Sequence, residues 1–225
     1  MLSVAVLAHR HVAQELGHLE PWFDRHGFVV HRVFREDRPE FPDADLLVVL
    51  GSPNSVATSH CQPPAEAEIS MVAEWVGRGR PYLGVCFGAQ VLARALGGSV
   101  RRMTETIRSY GPMLLSDIAP QALAGSWPLW HEDAITAPNS STILAPVSHA
   151  DTVFTRGSAW GIQPHIELTP DSVARLAQTM KIADGDVAPL YQAMKDDEPG
   201  LAERAGSLLD TFWASANSSR QGMGD

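Results

Sequence analysis

Leu83-Gly84-Val85-Cys86-Phe87-Gly88-Ala89-Gln90 decides how the rest of this chain is read. Residues 81–85, Pro-Tyr-Leu-Gly-Val, have the apolar run of a short buried strand. Gly88 and the run 89–96 have the character of the helix that follows. A cysteine between the two sits on a tight, strained strand-to-helix bend with its sulfur exposed. It also faces the helix N-terminus, whose unpaired N–H groups favour a thiolate. Gly84 and Gly88 suit the bend, because a Cβ there would crowd the backbone and any bound substrate. The pattern predicts that Cys86 is a nucleophile, and a nucleophile needs a base.

Gly161-Ile162-Gln163-Pro164-His165-Ile166-Glu167 offers one. His165 can take the Cys86 proton. Glu167 lies two residues on, so in an extended segment it points to the same side as His165. A carboxylate there fixes the imidazole tautomer and stabilises its cation. Cys86, His165 and Glu167 are the predicted nucleophile, base and orienting group.

Outward from these stretches the chain alternates strand and helix. Residues 2–8 and 28–34 read as strands, with a helix over 14–26 stopped by Gly27. Residues 46–50 form a continuous aliphatic run, as a central parallel strand should. Residues 63–78 are helical, with Ile69, Val72 and Val76 on one stripe. This β-α-β-α order implies a parallel sheet with helices on both faces, and ligands bind such sheets beyond the carboxyl ends of strands. Cys86 and residues 51–55 both fall there. Residues 98–107, 112–115, 143–147, 152–155 and 159–163 read as short strands that extend the sheet in antiparallel fashion and end at the His165 strand. Helices are predicted over 170–183, 187–194 and 201–214, with Leu201, Ala205, Leu208 and Phe212 on one buried stripe. One domain over 1–216 and a frayed tail over 217–225 are expected.

At this point the chain resembles a known family. Gly84-Val85-Cys86-Phe87-Gly88-Ala89-Gln90 is similar to the nucleophile motif G-[IV]-C-x-G-x-Q of class I glutamine amidotransferases. Residues 161–167 are similar to that family's G-x-Q-F-H-P-E, and Leu50-Gly51-Ser52-Pro53-Asn54-Ser55 to its L-x-G-G-P-x-S loop. Order and spacing of all three agree over roughly residues 1–170. The flavour is that of stand-alone amidotransferases similar to the glutaminase domain of GMP synthase.

The resemblance implies a three-layer α/β/α flavodoxin-like sandwich with a mostly parallel central sheet, here with a C-terminal helical extension. It implies hydrolysis of the γ-carboxamide of glutamine, or of a glutamine-like γ-glutamyl compound, through a thioester on Cys86. Ammonia would pass to a synthase partner in trans, because the glutaminase-like part uses most of the 225 residues. Ser52 and Phe87 would give the oxyanion amides. Gly51, Asn54, Gln90 and His131 would contact substrate; Gln90 lies one helical turn after Cys86. His131 stands in Trp130-His131-Glu132-Asp133, similar to the family's H-x-D segment. Around the histidine the family's phenylalanine and proline are Pro164 and Ile166 here, and the second loop glycine is Ser52. These departures reshape the pocket and keep two alternatives open. One is a stand-alone γ-glutamyl peptide or amide hydrolase; the other is a non-catalytic regulatory or binding protein on the same fold.

Composition bounds the rest. A net charge of −9 argues against a nucleic-acid surface. No apolar run approaches the ~20 residues that span a bilayer. The apolar start, residues 1–7, lacks the basic residues of a signal peptide and reads as the first strand. Only Cys61 and Cys86 are present, which points to a reducing cytoplasm and leaves Cys61 an incidental thiol. His9 and His11, and His149 near Asp151, lack a third ligand at recognisable spacing, so no metal is expected. No cofactor is expected either, since the glycine turns lack the lysine of a phosphate loop.

Overall fold

The computed structural model describes residues 1–37, 40–57 and 65–221, with side chains to residue 218. Cys61 and the start of the helix expected from residue 63 lie outside the described residues. Nine strands and six helices run in the order β1 (Leu2–Ala8), α1 (Leu19–Arg25), β2 (Phe28–Phe34), β3 (Leu46–Val49), α2 (Ala65–Gly77), β4 (Tyr82–Val85), α3 (Phe87–Ala95), β5 (Ser99–Pro112), β6 (Ser126–Thr136), β7 (Thr142–Val147), β8 (Ala150–Arg156), β9 (Ala159–Ile162), α4 (Pro170–Thr179), α5 (Asp184–Asp196) and α6 (Glu198–Gln221) among the described residues. A 3-10 turn, Arg35–Asp37, follows β2, and a second, Gln121–Leu123, precedes β6.

Seven strands form one sheet in the order β2-β1-β3-β4-β9-β8-β7. The first five are parallel to their neighbours, and β8 and β7 add on antiparallel. The run β2-β1-β3-β4-β9 is the doubly wound, flavodoxin-like order. Period-two alternation divides each central strand between two cores. Val4, Val6, Leu46, Val48, Leu83 and Val85 pack on one face with residues of α1, α4 and α6. Ala5, Leu7, Leu47, Val49 and Tyr82 pack on the other with residues of α2 and α3. The central strands β3 and β4 therefore carry no polar residue, as sheets covered on both faces require. Leu201, Ala205, Leu208 and Phe212 are fully buried, so the C-terminal stripe packs as its spacing indicates.

Several local expectations differ. The helix over 14–26 is confined to Leu19–Arg25. Gly17 holds φ +46°, and a Cβ there would overlap the Glu167 carbonyl, so the chain must turn before the helix starts. Residues 113–115 form no strand; the chain leaves β5 at Pro112, and Ser116 N–H then bonds the Leu144 carbonyl (2.9 Å). Residues 126–136 are an unforeseen strand, β6, which pairs only with β5 in a separate two-stranded sheet. Pro128 and the charged pair Glu132-Asp133 hide its periodicity. The β9 strand ends at Ile162, so His165 lies in the loop beyond it rather than in a strand. Helix α6 continues through Gln221, past the residue 217 where fraying is expected.

Candidate active site

Cys86 is the joint between β4 and α3, with φ 52° and ψ −106°. Such a backbone costs a residue with a Cβ roughly 1–3 kcal/mol and persists only where neighbours impose it. The neighbours are visible. Cys86 N–H donates to the Ile162 carbonyl of β9 (2.8 Å), and Gln90 N–H donates to the Cys86 carbonyl (3.1 Å). Behind the bend, Gly84 and Gly88 let α3 approach the sheet. A Cβ on Gly84 would lie 2.5 Å from the Gly88 carbonyl, and one on Gly88 would overlap the Val49 carbonyl of β3. Both glycines thus allow close backbone contact.

Strain gathers around this point. Among the described residues the non-glycines at positive φ are Ala13, Cys86 and Lys181. Ala13 lines the pocket over Cys86, and Lys181 follows Met180, which lines it too. The sulfur is not exposed on its bend as the sequence suggests. Cys86 is 5% exposed and sits at the floor of a pocket walled by Trp130, Met180, Leu176 and Val12. The walls come from β6, the end of α4 and the β1–α1 loop, and no local pattern at residues 81–90 announces them.

His165 arrives from the loop after β9, pinned by its N–H to the Pro128 carbonyl (2.8 Å). Its Nδ1–H donates to Glu167 Oε1 at 2.7 Å. Its Nε2–H donates to the Trp130 carbonyl at 3.2 Å, and Cys86 Sγ lies 3.7 Å from that same oxygen. Thiol and imidazole therefore converge on one backbone carbonyl. Burial opposes charge on His165. The Glu167 carboxylate and the adjoining Cys86 outweigh it and hold the imidazole pKa well above its usual range. Both ring nitrogens are held by oxygen acceptors, which favours the charged ring.

The predicted substrate-side residues assemble around the sulfur. Ser52, Asn54, Gln90 and His131 line one pocket together with Cys86. Gly51 adjoins His165 and Cys86: a Cβ there would stand 3.2 Å from His165 Cε1. Phe87 is the first residue of α3, so its amide has no partner within the helix, while its ring packs in the core on the α2 side. Gln163, within the histidine motif but assigned no role from the sequence, donates from Nε2 to Cys86 Sγ (3.4 Å). Gln90 Nε2 donates to Gln163 Oε1 (3.4 Å), which links α3 to the β9 loop across the sulfur. Arg102 and Asp133 also line this pocket. Ser55 donates to Asp133 Oδ2 (2.6 Å). Among the described residues no cluster of three His, Cys, Asp or Glu could hold a metal ion, and no helix is long and apolar enough to cross a membrane.

Comparison with known proteins matches this architecture. The family model "Glutamine amidotransferase class-I" covers residues 11–146. The chain belongs to the class-I glutamine amidotransferase family. The glutamine amidotransferase-like protein YfeJ of Salmonella typhimurium is 27% identical over 173 residues, 70% of this chain and 72% of that one. A glutamine-hydrolyzing GMP synthase of Thermus thermophilus is 31% identical over 148 residues, which cover 61% of this chain but only 28% of the synthase. A glutamine amidotransferase from Thermotoga maritima has the same fold, with a TM-score of 0.80 at 22% identity over 94% of this chain and 97% of that one. The family match stops before His165 and Glu167, so their place in the site rests on the geometry above.

His131 gives this chain a pH signature. Burial pushes its imidazole down to about 4, although its Nδ1–H bond to the Asp133 carbonyl (2.8 Å) works the other way. A value of 6.5 in the unfolded chain against about 4 in the folded one is worth about 3 kcal/mol. The unfolded chain binds more protons in this window, so the contribution is complete above pH 6.5 and is lost as pH falls towards 4. Urea unfolding at pH 7 and pH 4.5 should show a smaller loss of stability in His131→Gln than in the wild type. An unchanged difference between the two pH values would exclude a buried neutral His131.

Proposed function

We propose that the chain is a cysteine-dependent amidase that hydrolyses the γ-carboxamide of glutamine or of a glutamine-like γ-glutamyl compound. The observation that carries this is the convergence of Cys86 Sγ and His165 Nε2 on the Trp130 carbonyl, with Glu167 behind the imidazole. Cys86 passes its thiol proton to His165, Sγ attacks the γ-carbonyl carbon, and the C=O electron pair moves onto oxygen. The amides of Ser52 and Phe87 are assigned to that oxyanion. His165 gives a proton to the nitrogen as the C–N bond breaks, and ammonia leaves. Water then attacks the γ-glutamyl thioester with His165 as base, releasing glutamate and restoring the thiol. Glu167 holds the imidazole and its charge throughout. Gly51, Asn54, Gln90 and His131 are assigned to the glutamyl moiety.

The GMP synthase relative is named glutamine-hydrolyzing, and this chain spans about a quarter of it. Delivery of ammonia to a separate synthase is the corresponding proposal here. Hydrolysis of larger γ-glutamyl peptides or amines would use the same residues, and of the three departures from the family motif Ser52 lines the pocket at Cys86. The test is to incubate the purified chain with glutamine, γ-glutamyl peptides and γ-glutamyl amines, quench in acid and read the intact mass. A γ-glutamyl adduct confined to Cys86 supports the reading and names the substrate class. Glutamine-mimicking electrophiles should also label Cys86 before Cys61 at neutral pH. Labelling of Cys61 with Cys86 inert would overturn the assignment.

A further inference from the structure

The Gly51-Ser52 peptide, which carries one of the two assigned oxyanion amides, is held from two sides by adjacent residues of one turn. Arg35 and Glu36 both lie in the 3-10 turn after β2. On one side, Arg35 Nη1 donates to the Gly51 carbonyl (3.1 Å) and Nη2 to the Leu50 carbonyl (3.0 Å). The guanidinium is itself fixed by Glu68 of α2, with Nε to Oε2 at 2.9 Å and Nη2 to Oε1 at 3.0 Å. Arg35 is 3% exposed and Glu68 7%. The same guanidinium lies 4.9 Å over the Phe87 ring, whose residue carries the other assigned amide.

On the other side, Glu36 Oε1 accepts from His9 Nδ1 (2.8 Å), and Glu36 Oε2 accepts from Arg10 N–H (3.1 Å). With its proton on Nδ1, His9 presents a lone pair at Nε2, and the Ser52 hydroxyl donates to it at 2.8 Å. The Ser52 oxygen in turn accepts from Asn54 N–H (3.0 Å). Burial and the nearby Arg35 charge keep the His9 imidazole neutral, which the acceptor role needs.

These contacts fix a direction. In a planar trans peptide the C=O and N–H point opposite ways. Arg35 grips the Gly51 carbonyl, so the Ser52 N–H faces away from the guanidinium. Flipping this peptide would strand a buried cationic donor and break the Ser52–His9 bond together. A glycine at position 52 would have neither the hydroxyl nor the Cβ that resist the flip.

We propose that the Arg35–Glu36 turn, acting through the Gly51 carbonyl and through His9 on Ser52, clamps the oxyanion loop in its working setting, so that the chain turns over a γ-glutamyl substrate without a partner. His9, Arg35 and Glu36 are positioning residues for the proposed amidase reaction, on which this inference rests. An oxyanion amide acts on the transition state and not on bound substrate, so loosening it lowers kcat and leaves KM nearly unchanged.

The test compares wild type, Ser52→Ala, Ser52→Thr and His9→Leu in the full chain, with the γ-glutamyl substrate found by mass screening. Wild type is expected to turn over unaided at an ordinary ~10 s⁻¹. Ser52→Ala and His9→Leu should lose about tenfold or more in kcat, towards the loss seen when an oxyanion donor is removed. Their KM should stay within about threefold, and Ser52→Thr, which keeps the hydroxyl, should retain most of the rate. Alkylation of Cys86 by iodoacetamide, which forms no oxyanion, should proceed at the wild-type rate in all four proteins. Equal kcat in all four, or a raised KM at unchanged kcat, overturns the clamp. So does fluorophosphonate labelling of Ser52, which would make His9 and Glu36 the activators of a second nucleophile. A wild-type chain that is idle alone also overturns it. If that idle chain still forms a covalent adduct with a glutamine-like chloroketone at Cys86, the amidase reading survives; if it forms none, both fall.

Discussion

His165→Ala is expected to lower kcat by about 10³-fold or more, and Glu167→Gln by clearly less. The imidazole has two separate tasks in the proposed cycle. It carries a proton to the leaving ammonia, then removes one from water. Both require Nε2 to reach the reacting atoms, and Nε2 is the nitrogen that meets the Trp130 carbonyl beside Cys86 Sγ. Glu167 touches only Nδ1. Its loss weakens the hold on the imidazole but leaves the backbone anchored by the His165 N–H bond to Pro128 and Nε2 on the Trp130 carbonyl. Glutamine at 167 can still accept from Nδ1 with its amide oxygen, so part of the orientation survives. The pH profile separates the two variants further. Glu167 is a main cause of the raised His165 pKa, so Glu167→Gln should move the His165 limb of the kcat/KM profile to lower pH. Single-turnover kinetics with the substrate identified by mass would measure both effects. Small, equal losses in the two variants would mean that neither residue belongs to the site.

Gly88→Ala is expected to destabilise the fold by about 3 kcal/mol or more, at the upper end for overpacking. Gly88 lies in the first turn of α3, where the helix meets β3 most closely. The added Cβ would overlap the Val49 carbonyl and crowd the Val49 carbon and Cβ, all atoms of a fully buried central strand. Backbone in the middle of a sheet does not give way as the end of a long side chain does. Helix propensity favours alanine over glycine by about 1 kcal/mol, which offsets only part of the clash. The remaining way out is to lift α3 from the sheet. That would carry the Phe87 amide and Gln90 away from Cys86 and break the Tyr82 hydroxyl bond to the Gly88 carbonyl (2.8 Å). Gly77→Ala is the matched control, because a Cβ at Gly77 meets nothing within 4 Å. Urea midpoints should put Gly77→Ala near or above wild type and Gly88→Ala far below it. A loss under about 1 kcal/mol at Gly88 would show that the α3–β3 contact yields.

The sequence alone determined the nucleophile elbow, the parallel core and the identity of the catalytic candidates. Those features rest on local rules. A parallel strand buried on both faces lacks polar residues, which marks 46–49 and 82–85. A helix and a strand whose backbones touch leave no room for a Cβ, which marks Gly84 on β4 and Gly88 on α3. The motif order Gly51-Ser52, Cys86, His165-x-Glu167 is a property of the chain itself. Tertiary structure decided what converges on those residues. The carbonyl between thiol and imidazole belongs to Trp130 on β6, a strand whose periodicity Pro128, Glu132 and Asp133 conceal. The pocket walls come from Val12 near one end of the chain and from Leu176 and Met180 near the other, individually unremarkable as apolar residues. The grip on the oxyanion loop comes from Arg35, Glu36, Glu68 and His9, four charged or polar residues that read locally as solvated surface. Arg35, Glu68 and His9 are all buried in the folded chain, against what their local sequence suggests. Local pattern reports which face of an element is covered. It carries no record of which distant carbonyl or carboxylate does the covering, because that pairing is fixed by the packing of the whole sheet.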